Sequence, residues 1–488
     1  MSDETKHEAG QGDKPEPSDD LTTTHHTIGD LAYTATTGRI VLREEVTEDE
    51  KYGGRRAKAE LSVTYYTLDE ADAATRPVTF AFNGGPGSSS IWLHLGLLGP
   101  RRVDSGDVGD LTPPPYGLID NEETLLRHTD LVFIDPVSTG YSRAVEGEKA
   151  KDYHGFTGDI ESVGEIIRLW TTRHNRWLSP KFLIGESYGG TRGAGLAEYL
   201  QARYGMFLNG VMFLAPAFNH ETLYHARYSD LPNPLFLPTY AATAHYHGLH
   251  PGRELEAVVA EARDYADEYR AVLAKGQNLT VEERAAAVAK IASLAGVSEA
   301  YVDNANLRLE HTRYYAELLR HRKLVTGRLD TRFTGPADNH IHEQMPFDPF
   351  LSAIDGPYTA ALQHYLHSEL EYPNDAVYET LSRNVHPWSY KEFEGNAIDV
   401  IDRLGSAMRA NPHLKVHVAM GRYDGGVPVE AIEYTLDHLE IPLEARERIE
   451  TRTYPTGHMM YVHGPSRVQQ AADLAEFIRS ASGRSRAA

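Results

Sequence analysis

The chain contains no cysteine, which excludes a disulfide, a thiolate nucleophile and any cysteine-ligated metal. It also lacks an apolar run long enough to span a bilayer. Residues 1–26 are rich in Asp, Glu, Ser, Thr, Gly and Pro, with none of the apolar stretch that a signal peptide requires. This segment is expected to be a disordered tail. Basic side chains are the minority: 48 Lys and Arg against 70 Asp and Glu leave a formal charge of −22. Nucleic acid and anionic membranes would be repelled by that sign, so neither is an expected partner. These absences together point to the cytoplasm.

What is present is an ordinary globular chain. The 488 residues, 41% hydrophobic and 24% charged, are enough for a large core and two or three domains. At the centre stands Phe182-Leu183-Ile184-Gly185-Glu186-Ser187-Tyr188-Gly189-Gly190. The apolar run reads as a short buried strand, and the glycines force a tight turn into a helix. Gly-x-Ser-x-Gly is the spacing of a nucleophile elbow, in which the serine sits in strained backbone and the glycines let flanking chains pass close by.

Around this stretch the chain alternates strands and helices. Residues 27–68 alternate apolar and other side chains at period two, with turns expected at Thr37-Gly38 and Gly53-Gly54. Strands are expected at Val78–Phe82, Leu131–Ile134, Val211–Leu214, Val416–Met420 and Ile449–Tyr454. Helical spacing of Ile160, Val163, Ile166, Ile167 and Trp170 places a helix between two of them. The pattern predicts an α/β protein with a mostly parallel sheet. From Pro251 to Leu324 it becomes all-helical, with helices expected at 253–273, 281–294 and 299–324, and residues 330–395 read as loop and short helix. The predicted organisation is a first core segment at 27–218, an inserted, largely helical cap at 219–400 and a second core segment at 401–483.

Two glycine-rich loops sharpen the chemistry. Asn83-Gly84-Gly85-Pro86-Gly87 follows a strand. No Gly-Lys-Ser/Thr follows it and the dinucleotide spacing is absent, so backbone amides lining an oxyanion hole fit better than a phosphate cradle. Asp424 and His458 each lie in a glycine-rich loop directly after a predicted strand. A serine hydroxyl needs an imidazole to take its proton, and the imidazole needs a carboxylate to fix its tautomer. The order Ser187, Asp424, His458 is that of α/β-hydrolases. His245-x-His247 and His340-x-His342 have no evident third ligand, so no metal is called for, and no cofactor either. The tyrosines and histidines of 223–250, among them Tyr224, His225, Tyr240, His245 and Tyr246, suit either the substrate cleft or the packing of the cap.

At this point the chain resembles the serine carboxypeptidases, α/β-hydrolase peptidases that remove C-terminal residues, and within them a bacterial-type member without a signal peptide. The resemblance rests on Asn83–Ser90 with Leu98-Gly99-Pro100, on Asp135–Ser142, on Gly185–Gly190, and on the Asp424 and His458 loops. It implies an α/β-hydrolase fold with an inserted helical cap and peptide substrates. It also implies Ser187 as nucleophile, His458 as base and then acid, and Asp424 as its orienter. The Gly85 and Tyr188 amides would form the oxyanion hole, with Asn83, Gly84 and Glu186 holding the substrate's terminal carboxylate. A carboxylate that binds a carboxylate needs a shared proton, so substrate binding should weaken above neutral pH.

Three departures stand out. Leu97 occupies the position of the family's second glutamate, Ala81 replaces a tryptophan and is expected to widen the site, and Ser88 replaces a cysteine. An esterase or acyltransferase of the same fold, or a non-catalytic binding protein on a hydrolase scaffold, remain alternatives.

Overall fold

The computed structural model describes residues 16–226 and 229–483. Nine strands form one continuous sheet: β1 (Asp20–Ile28), β2 (Leu31–Glu48), β3 (Lys51–Leu68), β4 (Val78–Phe82), β5 (Asp130–Ile134), β6 (Lys181–Glu186), β7 (Gly210–Leu214), β8 (Lys415–Gly421) and β9 (Ile449–Tyr454). Their order is β1-β2-β3-β5-β4-β6-β7-β8-β9, and a two-residue strand, Arg143–Ala144, pairs with β3. The first three strands and the β3–β5 pair are antiparallel, while every pairing from β5 to β9 is parallel.

The parallel strands are apolar throughout because both faces are covered. Along β6, Phe182 and Ile184 enter one apolar cluster with Met212 and Leu214, and Leu183 enters the opposite one with Val211 and Phe213. The helices at Phe156–Arg173, Tyr188–Tyr204, Ile401–Ala410 and Val429–Asp437 pack on the second face; Gly464–Ala481 and Pro349–His364 pack on the first. A third cluster, built around Phe236, Tyr240, Tyr314 and Tyr315, is the core of the helical insertion, with Tyr240 stacked on Tyr314 at 3.9 Å. The fold is that of an α/β-hydrolase carrying a helical cap.

Several boundaries differ from the sequence reading. Residues 20–26 are not tail: Asp20–Ile28 pairs along its length with Leu31–Arg39 of β2, because its threonines suit an edge strand. The rest of the expected tail lies largely outside the described residues. Gly38 is inside β2, not in a turn; a Cβ there would lie 1.9 Å from Asp20 O, so the glycine serves close approach of β1. Gly53 and Gly54 lie inside β3, and the turn is at Asp49-Glu50, both with positive φ.

The expected 253–273 helix breaks at Tyr265 into Leu255–Asp264 and Ala266–Lys275. The expected 299–324 helix is broken into Glu299–Asn304, His311–Glu317 and a 3-10 turn at Arg320–Arg322, followed by the strand Leu324–Thr326; Asn306 and Leu307 take positive φ between the first two. Residues 330–395 contain a 16-residue helix, Pro349–His364, which a proline at each of positions 349 and 357 disguises. Its Phe350, Ile354, Tyr358 and Leu362 join the sheet's own core, so this part of 219–400 belongs to the hydrolase body. No helix among the described residues is long and apolar enough to cross a membrane.

Candidate active site

Ser187 sits between β6 and the helix Tyr188–Tyr204 with φ 62° and ψ −121°, a conformation that costs on the order of 1–3 kcal/mol and persists only when its surroundings impose it. They do: Ser187 N donates to Leu214 O at 2.9 Å, and a Cβ on Gly185 would lie 2.2 Å from Gly189 O. The side chain is thereby held out at the carboxyl edge of the sheet. The hydroxyl makes no hydrogen bond among the described residues, and Ser187 and His458 line one cleft of about 140 Å³.

Asp424 follows β8 and His458 follows β9. His458 Nδ1 lies 2.6 Å from Asp424 Oδ2, and Asp424 Oδ1 accepts from the amides of Gly426 at 2.8 Å and Val427 at 2.9 Å. This arrangement fixes the imidazole tautomer that leaves Nε2 toward the cleft as base. Burial pushes the imidazole's pKa down, but the charge and hydrogen bond of Asp424 outweigh burial and lift it above the usual 6.5.

Gly85 and Tyr188, whose amides are the expected oxyanion donors, line the same cleft as Ser187. Tyr188 N is the first amide of a helix, one of the groups with no intrahelical partner. Gly84 is pressed onto it, since a Cβ on Gly84 would lie 2.4 Å from Tyr188 N. Gly85 follows with φ +102° in the wall of the cleft. Behind the loop, Arg192 donates to Asn83 O at 2.5 Å and to Asp159 at 2.8 Å, and this ion pair is fully buried. Asp135 accepts from Ser90 N and Ser90 Oγ, both at 2.8 Å, and from Tyr378 OH at 2.9 Å, tying the glycine loop to Asp135–Ser142.

Asn83 and Glu186 meet directly: Asn83 Nδ2 donates to Glu186 Oε1 at 2.9 Å, and Asn83 Oδ1 accepts from Leu93 N at 3.0 Å. The second carboxylate oxygen accepts from Tyr461 OH at 2.7 Å. Burial pushes the Glu186 carboxyl up to about 7, against the opposing pull of His458, Tyr461 and Asn83. Leu97 is buried in the apolar core and makes no polar partner for Glu186, whose second oxygen meets Tyr461 instead. Ala81 does not widen the cleft: it lies inside β4, buried against the core cluster of Phe133 and Ile184.

The sequence reading missed the segment that braces the histidine. Leu329 O accepts from His458 N at 2.7 Å, and Asp330 Oδ2 accepts from Gly457 N at 3.1 Å. Arg332 clasps Asp330 through Nε at 2.9 Å and Nη2 at 2.7 Å, and also reaches Thr456 Oγ1 at 2.8 Å. On the acid loop, Tyr315 OH donates to Gly425 O at 3.1 Å. None of these has a local sequence signal; each depends on the cap folding back over distant loops.

Of the tyrosines and histidines at 223–250, Tyr224 lines the cleft, while Tyr240 packs the cap and His245 Nε2 meets Arg253 O at 2.8 Å. His247 Nε2 meets Thr331 O at 2.8 Å and His342 Nε2 meets Asp338 at 2.8 Å. One described group has donor atoms at metal-ligand spacing, His225, Glu310 and His311. There Glu310 already accepts from Thr312 N, Thr312 Oγ1 and Arg313 N at a helix start. A larger groove, about 730 Å³, does not include Ser187 and is lined by charged groups such as Glu44, Arg55 and Glu165.

A sheet of this order with serine, aspartate and histidine on its carboxyl-edge loops defines an α/β-hydrolase of the serine type. The chain belongs to the serine carboxypeptidase family, whose profile matches residues 52–463. Similar curated proteins include serine carboxypeptidase-like 13 of Arabidopsis thaliana, 28% identical over 148 residues, which are 28% of this chain and 32% of that protein. Serine carboxypeptidase-like 16 of the same plant is 27% identical over 168 residues, 33% and 34% of the two chains. The matches thus span about a third of the length of these relatives. Among solved structures, the prohormone-processing carboxypeptidase Kex1(delta)p of Saccharomyces cerevisiae covers 92% of both chains at 14% identity with a TM-score of 0.54, a likeness of fold.

Proposed function

We propose that this protein is a serine-type carboxypeptidase that removes C-terminal residues from peptides through an acyl-enzyme on Ser187. The observation that carries the reading is Glu186, immediately before the nucleophile, buried, bonded to Asn83 and Tyr461, with a pKa near 7. A carboxyl group that holds its proton near neutrality can share it with the free carboxylate of a peptide terminus; an esterase has no use for such a group.

In this mechanism Asn83, Gly84 and Glu186 hold the terminal carboxylate, and the scissile carbonyl oxygen points at the Gly85 and Tyr188 amides. Ser187 Oγ attacks the carbonyl carbon as His458 Nε2 takes its proton, with Asp424 steadying the imidazolium. The two amides bind the oxyanion. Collapse breaks the C–N bond, and His458 returns the proton to the leaving amine. Water, deprotonated by the same nitrogen, then releases the shortened peptide and restores Ser187.

Mass spectrometry of a peptide mixture should reveal stepwise loss from C-termini, with C-terminal amides resistant. Equal turnover of free-acid and amidated peptides would refute the assignment. Leu97 in place of a second glutamate favours, as the other reading, an esterase or acyltransferase. A blocked dipeptide and an aryl ester assayed side by side separate the two. Failure of a fluorophosphonate probe to label Ser187 would support a non-catalytic scaffold instead. We place the enzyme in the cytoplasm on its lack of cysteine, a reading that cell fractionation tests.

A further inference from the structure

The cleft beside Ser187 holds a charge that the reaction does not use. Arg328 lines it together with His220, Leu223, Tyr224, Tyr390 and Val427. A Cβ on Gly426 would lie 2.8 Å from Arg328 Nη1, so the guanidinium rests against the loop that carries Asp424. Its stem is fixed from both sides: the amides of Arg328 and Leu329 donate to Asp348 Oδ2 at 3.3 and 3.1 Å, and Leu329 O receives His458 N.

The guanidinium itself makes no hydrogen bond and no ion pair among the described residues. This sets it apart from the deeply buried Arg192 and Arg332, each of which grips a carboxylate, Asp159 and Asp330 respectively. The other basic groups in the wall are imidazoles: burial pushes His220 down to about 4 and His311 to about 3, and His458, lifted above 6.5 by Asp424, is the base of the triad itself. Arg328 is therefore the standing cation of the cleft wall at neutral pH. A half-buried guanidinium with its fork unfilled is suited to a carboxylate arriving with the substrate.

Which carboxylate follows from the division of the site. On the carboxypeptidase reading, which this inference rests on, the terminal carboxylate and the leaving residue are held by Asn83, Gly84 and Glu186. Neither Asn83 nor Glu186 lines the cleft that Arg328 shares with Ser187. That cleft is left for the residue on the acyl side of the scissile bond. We propose that Arg328 is a specificity residue that receives an acidic side chain there, so that the enzyme prefers peptides with Glu or Asp next to the C-terminal residue.

The test compares blocked dipeptides ending in leucine with Glu, Gln or Lys in the acyl position. Glu and Gln differ in charge but hardly in shape, so the ratio of their kcat/KM values isolates the guanidinium from any general effect on turnover. Wild type should favour Glu by about 10- to 100-fold, the range expected for a charge-assisted hydrogen bond. In Arg328→Gln the ratio should fall to about one, in Arg328→Lys it should be partly retained, and Arg328→Glu should favour Lys. Wild type without a Glu preference, or an Arg328→Gln variant that keeps it, overturns the proposal. Calorimetric binding of the same dipeptides to Ser187→Ala reads the same ratio without turnover. Absence of any hydrolysis would then refute the carboxypeptidase reading, while the binding ratio still decides the role of Arg328.

Discussion

Glu186 and Tyr461 are joined by a 2.7 Å hydrogen bond from the phenol to the carboxylate, 275 residues apart in sequence and next to the nucleophile. This contact, with Asn83 on the other oxygen, holds a carboxyl whose proton comes off near neutral pH. Binding of a terminal carboxylate needs that proton, so KM for free-acid peptides should rise as pH climbs above about 7. The acidic limb belongs to His458, which must be neutral and whose pKa lies above 6.5. The expected profile of kcat/KM is a narrow bell around neutrality. Glu186→Gln should flatten its basic limb, because an amide does not titrate. A basic limb that persists in this variant would contradict the assignment.

The same group predicts a stability effect. Its folded pKa, about 7, lies above the ordinary 4.5, so the folded state binds the proton more tightly than the unfolded chain. Stability from this source is full below pH 4.5 and is lost as pH rises toward 7, by up to about 3 kcal/mol. Glu186→Gln should therefore unfold at higher urea than wild type at pH 8, and the difference should vanish at pH 4.5. Equal midpoints at pH 8 would show that Glu186 titrates normally.

Ser187→Ala should reduce kcat by about 10⁶-fold, and Asp424→Asn by about 10⁴-fold through the wrong tautomer of His458. Circular dichroism should be unchanged in both. An Asp424→Asn variant within tenfold of wild type would mean that another group orients the imidazole.

Gly84→Ala puts a methyl 2.4 Å from Tyr188 N. The glycine loop must retreat, separating the Gly85 and Tyr188 amides. The expected loss in kcat is about 10²- to 10³-fold, the scale of one lost oxyanion donor. KM for a free-acid dipeptide should change far less than kcat; a loss confined to KM would place the damage in substrate binding.

Asp330→Ala removes the acceptor of Gly457 N and leaves the buried Arg332 guanidinium with only its 3.5 Å pair to Asp107. The cost should be about 3–5 kcal/mol in urea unfolding. Asp330→Asn keeps an acceptor and the shape, so it should be milder, with kcat lowered more than stability. Full activity in Asp330→Asn would exclude a positioning role for this carboxylate.

The elbow at Ser187 was legible from the sequence because it is local: the glycines that surround Ser187 are the residues its backbone needs. Asp424 and His458 were legible because each ends a recognisable strand. The bracing of His458 was not, since Asp330 and Arg332 act across more than 120 residues and carry no periodic pattern. Prolines hid the helix Pro349–His364, although Pro349 sits in its first turn, where a missing amide is harmless. The edge strand Asp20–Ile28 was hidden by its polar threonines and histidines, and only its pairing with β2 makes it a strand. Tyr461 escaped notice because a lone tyrosine after a histidine announces nothing about the carboxylate it will meet.

The grip of Leu329 and Asp330 on the His458 loop ties the insertion to the hydrolase body. A minimal enzyme made by excising it would keep its sheet and its elbow yet lose the anchor of its proton carrier. On the proposed reading, cleavage of the insertion by a protease would undo both that anchor and the cleft wall to which Leu223, Tyr224 and Arg328 belong.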